Sequence, residues 1–313
     1  MKTVILNEGI YEVTPSVATI GMFDGVHEGH RFVLRHVCDY AKAHQITSTV
    51  ITFDRHPREV VQTGWKPQLL TTFEERMRLL EGTGVDRCVV LPFMIEMAAL
   101  SARDFMQMMV ERLGVKVLLT GYDNCFGHNR RETFDDYVRY GKELGIEVKG
   151  LPPTPSEERG GNVSSSMVRR LLEKGDVKEA ARCLTYPYSI TGRVVKGEHV
   201  GTRLGFPTAN LQVDDSHKMI PAAGVYAVEC QLLNGNSQSL KGMMNIGTRP
   251  TFGVHRQTLE VHILDYEGDL YGQTVTVSFI ERLRDERRFD NEEELRAQLR
   301  EDANKVYSLK FSV

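Results

Sequence analysis

The sequence has few of the features that would place a protein in a membrane, outside the cell or on nucleic acid. No apolar run approaches the roughly 18 residues that a membrane-spanning helix needs. Residues 1–16, MKTVILNEGIYEVTPS, have neither a long apolar core nor a small-residue cleavage site, so no secretory signal peptide is expected. Cysteine is scarce: there are five, an odd number, and none forms a CxxC pair. This excludes a disulfide framework or a zinc knuckle and favours a reducing compartment, the cytoplasm. Charge of one sign is missing too. The net charge is −3, with 24 basic and 25 acidic residues up to residue 182 and 15 and 17 after it. Neither half is a basic domain, so neither nucleic acid nor a membrane is expected as a partner. No GxxxxGK[ST] phosphate loop, internal repeat or low-complexity tract occurs.

What is present is a globular chain of two parts. Its 313 residues exceed one ordinary core, and 41% hydrophobic with 26% charged residues is ordinary for a folded protein. Strand patterns at 16–23 (SVATIGMF), 46–53, 86–93, 116–121 and 146–152 alternate with helix patterns at 28–43, 71–82, 101–114 and 133–145. That alternation predicts a Rossmann-like parallel sheet with helices on both faces. A loop at 152–162 leads to helices at 165–174 and 176–183. From there short strands divided by glycine turns predict a small antiparallel β-barrel, closed by an amphipathic helix at 291–309. The domain boundary is set at 183/184, giving domains 1–183 and 184–313.

The first chemical signal is GMFDGVHEGHR, residues 21–31, between a strand and a helix start. Backbone N–H groups and the helix dipole favour an anion there. His27 and His30, three apart, share one side of the first turn, and Gly29 lets a phosphate approach the backbone. Two imidazoles can stabilise charge on phosphate oxygens without any nucleophilic side chain. The competing reading is a surface turn with two incidental histidines. The pattern G-x-F-D-x-x-H-x-G-H resembles the nucleotidyltransferase family whose HxGH motif holds ATP phosphates during adenylyl transfer. On that resemblance Gly21, Phe23, Asp24, Gly25 and Gly29 bind ATP, and His27 and His30 are catalytic. VSSSMVRRL (163–171) is similar to the family's second motif, which makes Ser165 and Ser166 phosphate contacts and Arg169 the partner of the leaving pyrophosphate.

TFDRHPRE (52–59) and GYDNCFGHNRRETFDDY (121–137) resemble segments of bacterial FAD synthetases. They offer His56, Pro57, Asp123, Phe126 and Arg130 as flavin contacts. For His56 the other reading is a loop histidine fixed by Pro57. The chain departs from the resemblance at Met22, where members often read Asn, and at Cys125, where a basic residue often stands; with Asn124 these departures support the reading of a weak adenylyltransferase half.

In the second half GFPTANL (205–211) places Thr208 and Asn210 on one side of an extended chain. A hydroxyl and an amide oxygen are hard ligands suited to Mg²⁺. An ordinary turn with an Asx cap would read the same way. The glycine-rich stretch before them, with Gly192, Lys196, Gly197 and Gly205, and then Pro207, is placed to cover ATP phosphates. LEVHIL alternates, so Glu260 and His262 share a face, and either a base or a solvent-facing residue fits there. These strings, with NIGTRPTF and LRDERRFDNEEEL, follow the order seen in riboflavin kinases. From about residue 17 to 306 the chain resembles the bacterial bifunctional riboflavin kinase/FAD synthetase family. That resemblance implies Glu260 as general base and Arg284 and Phe289 as flavin contacts. It also implies ATP and Mg²⁺, with riboflavin, FMN, FAD, ADP and pyrophosphate as substrates and products, in a monomer or weak oligomer. Two alternatives stay open: a kinase whose adenylyltransferase half is weak or inactive, and a flavin- or nucleotide-binding regulator without turnover.

Overall fold

The computed structural model describes residues 1–6, 13–62, 64, 66–121, 126–128, 132–151, 163–197, 201, 204–232, 239–251 and 254–311. Contacts divide the chain into two compact units, Met1–Ser165 and Ser166–Val313.

In the first unit the strands are β1 (Lys2–Ile5), β2 (Ser16–Ile20), β3 (Thr47–Phe53), β4 (Arg87–Leu91), β5 (Val115–Thr120) and β6 (Glu147–Gly150). They form one parallel sheet in the order β1-β4-β3-β2-β5-β6. The helices are α1 (Glu28–His44), α2 (Pro57–Val61), α3 (Phe73–Glu81), α4 (Ile95–Ala98), α5 (Ala102–Leu113) and α6 (Phe134–Leu144). Thr72 and Thr133 start α3 and α6 with reciprocal capping boxes, and left-handed Gly114 and Gly145 end α5 and α6. All five residues of β2 and of β4 are buried, as expected for strands covered on both faces. The order of strands reverses direction at β2 and β5, so the crevice beyond their carboxyl ends is the ligand-binding position of such a sheet.

Three short elements were not expected from the sequence: β1, α2 and α4. β1 is a four-residue edge strand, mostly exposed, without alternation. α2 and α4 run five and four residues, too short to show a period. The first strand also ends at Ile20, three residues early, because Phe23 (φ 52°) and Val26 (φ 36°) are left-handed.

The second unit opens with α7 (Ser165–Glu173), whose first residue belongs to the unit before, and α8 (Val177–Leu184). Its strands are β7 (Ser189–Val195), β8 (Ala209–Gln212), β9 (Gly224–Leu232), β10 (Ser239–Thr251), β11 (Val254–Ile263) and β12 (Thr274–Arg284). They close an antiparallel barrel in the order β10-β11-β8-β7-β12-β9. β8 carries the last two residues of the PTAN stretch, Ala209 and Asn210, into the barrel, and Pro207 and Thr208 lead into it. Ile190, Val228, Met244, Ile246, Val261, Val277 and Phe279 are buried barrel residues. The terminal helix α9 (Glu292–Ser308) lays Ala303 and Val306 on Ala227, Met243 and Leu264. Cys38, Cys88, Cys183 and Cys230 are buried and, among the described residues, form no disulfide; burial pushes Cys88 up to about 11 and Cys230 up to about 12.

Candidate active sites

The loop 21–27 leaves the end of β2 and enters α1 at His27. His27 is the helix N-cap: its Nδ1 accepts the backbone N–H of His30 at 3.4 Å. With Nδ1 so used, a neutral His27 carries its proton on Nε2, as a donor. The two imidazoles stack, with centroids 3.6 Å apart and planes 19° from parallel, and Phe23 meets His30 edge-on at 5.2 Å. Burial, and then the nearby His27, hold His30 well below the ordinary histidine range. His30 Nδ1 is buried with no hydrogen-bond partner among the described residues. Two stacked imidazoles at a helix start can therefore turn ring N–H groups toward an anion, and His30 is held neutral by its burial.

Asp24 holds this loop in its strained shape. Its carboxylate is buried and accepts from Leu70 N (3.1 Å), Thr71 N (3.0 Å) and Thr71 Oγ1 (3.1 Å). Gly25, left-handed at φ 82°, donates its N–H to the same Thr71 hydroxyl at 3.1 Å. Ser165 donates from Oγ to the Asp24 carbonyl at 2.9 Å, joining the second motif to the first. A Cβ on Gly29 would sit 3.1 Å from the Val163 carbonyl oxygen and 3.3 Å from the His27 ring. One on Gly21 would sit 3.2 Å from the Phe23 ring. Beneath the loop lies fully buried Arg76, which donates to the Phe53 carbonyl and reaches the Met22 sulfur at 3.6 Å. Met22, the departure noted above, thus packs on a buried guanidinium. Ser166 and Arg169 lie in α7.

Of the flavin-facing residues expected in this half, His56 caps α2, accepting Arg58 N at 3.1 Å, with Pro57 at the first helical position. Phe126 is buried in the core, stacked on Tyr137 at 4.3 Å. Asp123, Asn124, Cys125 and Arg130 lie outside the described residues.

In the barrel, register brings the candidate residues together. Glu260 on β11 is paired with Asn210 on β8 and, on its other side, with Asn245 on β10. Residues paired across antiparallel strands share a face. Thr258, Glu260 and His262 are half-buried while Leu259, Val261 and Ile263 are buried, so Glu260 faces away from the barrel core. His262 Nδ1 bonds the Pro207 carbonyl at 2.7 Å, which ties the PTAN turn to β11.

A cavity of about 420 Å³ is lined by Lys196, Gly197, Pro207, Thr208, Tyr266 and Tyr271, with Lys196 Nζ 5.6 Å from the Tyr271 ring centroid. A Cβ on Gly197 would land on the Asn210 amide, and one on Gly201 would sit 3.2 Å from Thr208 Oγ1. Bare backbone at both places lets the chain pass close against the Asn210 amide and the Thr208 side chain. Among the described residues no group of three or more His, Cys, Asp or Glu could hold a metal. The Thr208 hydroxyl and the Asn210 amide oxygen are hard donors, few in number, which is the chemistry of a cation that keeps most of its water. Gly205 is left-handed (φ 83°) and exposed beside Pro207. Gly192 sits inside β7, where a Cβ would come 2.8 Å from the Gln212 carbonyl oxygen, so close strand approach accounts for it. Arg284 ends β12 and Phe289 follows it, with the guanidinium 5.7 Å from the ring.

Asn245 was not singled out from the sequence. Its signal is positional: only the β10–β11 register shows that the Asn of NIG lies opposite the Glu of EVH.

The chain matches known families over both halves. Residues 11–167 match the FAD synthetase model and residues 184–309 the riboflavin kinase model. The bifunctional riboflavin kinase/FMN adenylyltransferase of Escherichia coli K12 is 38% identical over 91% of this chain and 90% of that one. The enzyme of the same description from Bacillus subtilis 168 is 33% identical, covering 93% and 91%. A solved structure described as a macrolide-efflux protein from Streptococcus pneumoniae superposes with a TM-score of 0.90 at 30% identity, over 99% of this chain and 100% of that one. Among the described residues no helix is long and apolar enough to cross a membrane. Two matched domains in sequence, on a parallel sheet and a closed barrel, show that the chain belongs to the bifunctional riboflavin kinase/FMN adenylyltransferase family.

Proposed function

We propose that the family's two reactions, riboflavin to FMN and FMN to FAD, are divided between the domains at 183/184, with these residues carrying each. The observation that carries this reading is the register pair Glu260–Asn210, which sets a carboxylate beside the amide of the PTAN strand. In the barrel, Glu260 takes the proton of riboflavin's primary alcohol. The alcohol oxygen bonds to the γ-phosphorus of ATP as the bond to the β–γ bridging oxygen breaks, and ADP leaves. Lys196, Gly197, Gly205 and Pro207 cradle the ATP phosphates, and Arg284 and Phe289 belong to the segment that covers the flavin. Thr208 and Asn210 would hold Mg²⁺, which when bound neutralises charge on the phosphates.

In the first domain an FMN phosphate oxygen attacks the α-phosphorus of ATP and pyrophosphate leaves. No base is required, because a phosphate monoester is already ionised near neutral pH. His27 and His30 donate to the charge that builds on the α-phosphate, the start of α1 lends its backbone N–H groups, and Arg169 pairs with pyrophosphate. Asp24 acts through Thr71, by fixing the loop that carries both histidines. The comparisons give no support to a silent adenylyltransferase half. Glu260→Gln tests the division: it should abolish FMN formation from riboflavin yet leave FAD formation from supplied FMN intact.

A further inference from the structure

The segment after β12, Asp285 to Arg288, is a run of four exposed charged residues with no apolar anchor between Leu283 and Phe289. Something polar must fix its path. Asp302, on α9, is 0% exposed, and its Oδ2 accepts from both Nε and Nη2 of Arg284 at 2.9 Å. Its other oxygen, Oδ1, accepts from Gln298 Nε2 at 2.9 Å, one helical turn away. Gln298 Oε1 in turn accepts from Arg287 Nη2. The two guanidinia so held lie 5.7 and 4.6 Å from the Phe289 ring centroid. α9 is itself seated on the barrel through Ala303 and Val306.

We infer that Asp302, with Gln298, is a positioning residue for the flavin: it locks Arg284 and Arg287 to α9 and thereby sets the segment 284–289 over the kinase site. This rests on the kinase reading above. A buried ion pair adds little stability compared with apolar packing, because desolvating both charges offsets their attraction. What it does supply is one geometry, since two nitrogens of the planar guanidinium converge on one carboxylate oxygen while Gln298 holds the other. Arg284 is then not the open flavin contact that the sequence implied. Its side chain is only 17% exposed and is occupied by Asp302. Phe289 is left as the segment's contact for the ligand, its ring position set by the two guanidinia beside it.

The chain carries its own controls: ATP KM reads whether the barrel's nucleotide site is intact, and FMN adenylylation reads the first domain. The experiment measures riboflavin KM, ATP KM and kcat for the kinase, and FAD formation from supplied FMN, in Asp302→Asn, Arg284→Gln and the double variant. Asp302→Asn should raise riboflavin KM tenfold or more while ATP KM and FMN adenylylation stay within twofold. The double variant should be no worse than Arg284→Gln, because both changes break one link. An unchanged riboflavin KM, or an ATP KM that rises equally, overturns the proposal. If Asp302→Asn loses kinase activity outright, Gln298→Leu decides: it should raise riboflavin KM several-fold, and no rise counts against the proposal. A wild-type chain that makes no FMN would instead overturn the kinase reading itself.

Discussion

Glu260 and Asn210 are direct partners across the β11–β8 pair, with Asn245 completing the row on β10. The carboxylate that would take a proton and the amide that would hold a metal therefore move as one sheet. Replacing Glu260 with Gln keeps the shape and removes the base. The kinase rate should fall by about 10²- to 10⁴-fold, the usual worth of general base catalysis. Riboflavin binding, followed by flavin fluorescence, should change little.

Gly29 and Gly197 offer a matched pair of tests. Alanine at 29 would press the His27 ring and the Val163 carbonyl; alanine at 197 would displace the Asn210 amide. Gly29→Ala should slow FAD formation from FMN by tenfold or more and leave FMN formation alone. Gly197→Ala should do the reverse. Separate assays with riboflavin and with FMN read both.

Asp24 is a structural carboxylate in the midst of a catalytic loop. Three hydrogen bonds to a buried charge are lost in Asp24→Ala, which should cost about 3 kcal/mol of the first domain's stability, seen as a lower urea midpoint. FAD formation should fall with it, while the kinase rate at low temperature persists.

His30 makes a prediction about acid. Its folded value is depressed, by burial first and His27 second, below that of the unfolded chain. Its contribution to stability is therefore complete above about pH 6.5 and is lost as pH falls from there through the depressed folded value. Thermal unfolding of the first domain between pH 7.5 and 5 should show this decline. His30→Asn should flatten the part of the slope due to this residue.

Much of the molecule was legible in the sequence because its signals are local. Capping boxes, β-branched runs and the spacing of His27, Gly29 and His30 each lie within a few residues. The alternation of LEVHIL put Glu260 and His262 on one face, and both are half-buried while their neighbours Leu259, Val261 and Ile263 are buried. What was not legible depends on partners far along the chain. Asp24 reads as a ligand contact until Thr71, 47 residues on, is seen to occupy its carboxylate. Phe126 reads as an open aromatic until Tyr137 is stacked on it, and Arg284 as a free cation until Asp302 is found beneath it. β1, α2 and α4 were missed for a different reason: elements this short and half-exposed show no period.

The most direct measurement is a time course of the purified protein with riboflavin, excess ATP and Mg²⁺, with the flavins separated by chromatography. The account predicts that FMN rises first and is then converted to FAD. His27→Ala should halt the course at FMN, and Glu260→Gln should leave riboflavin untouched but still convert supplied FMN. A Glu260→Gln chain that phosphorylates riboflavin at the wild-type rate, or a His27→Ala chain that makes FAD at the wild-type rate, would contradict it.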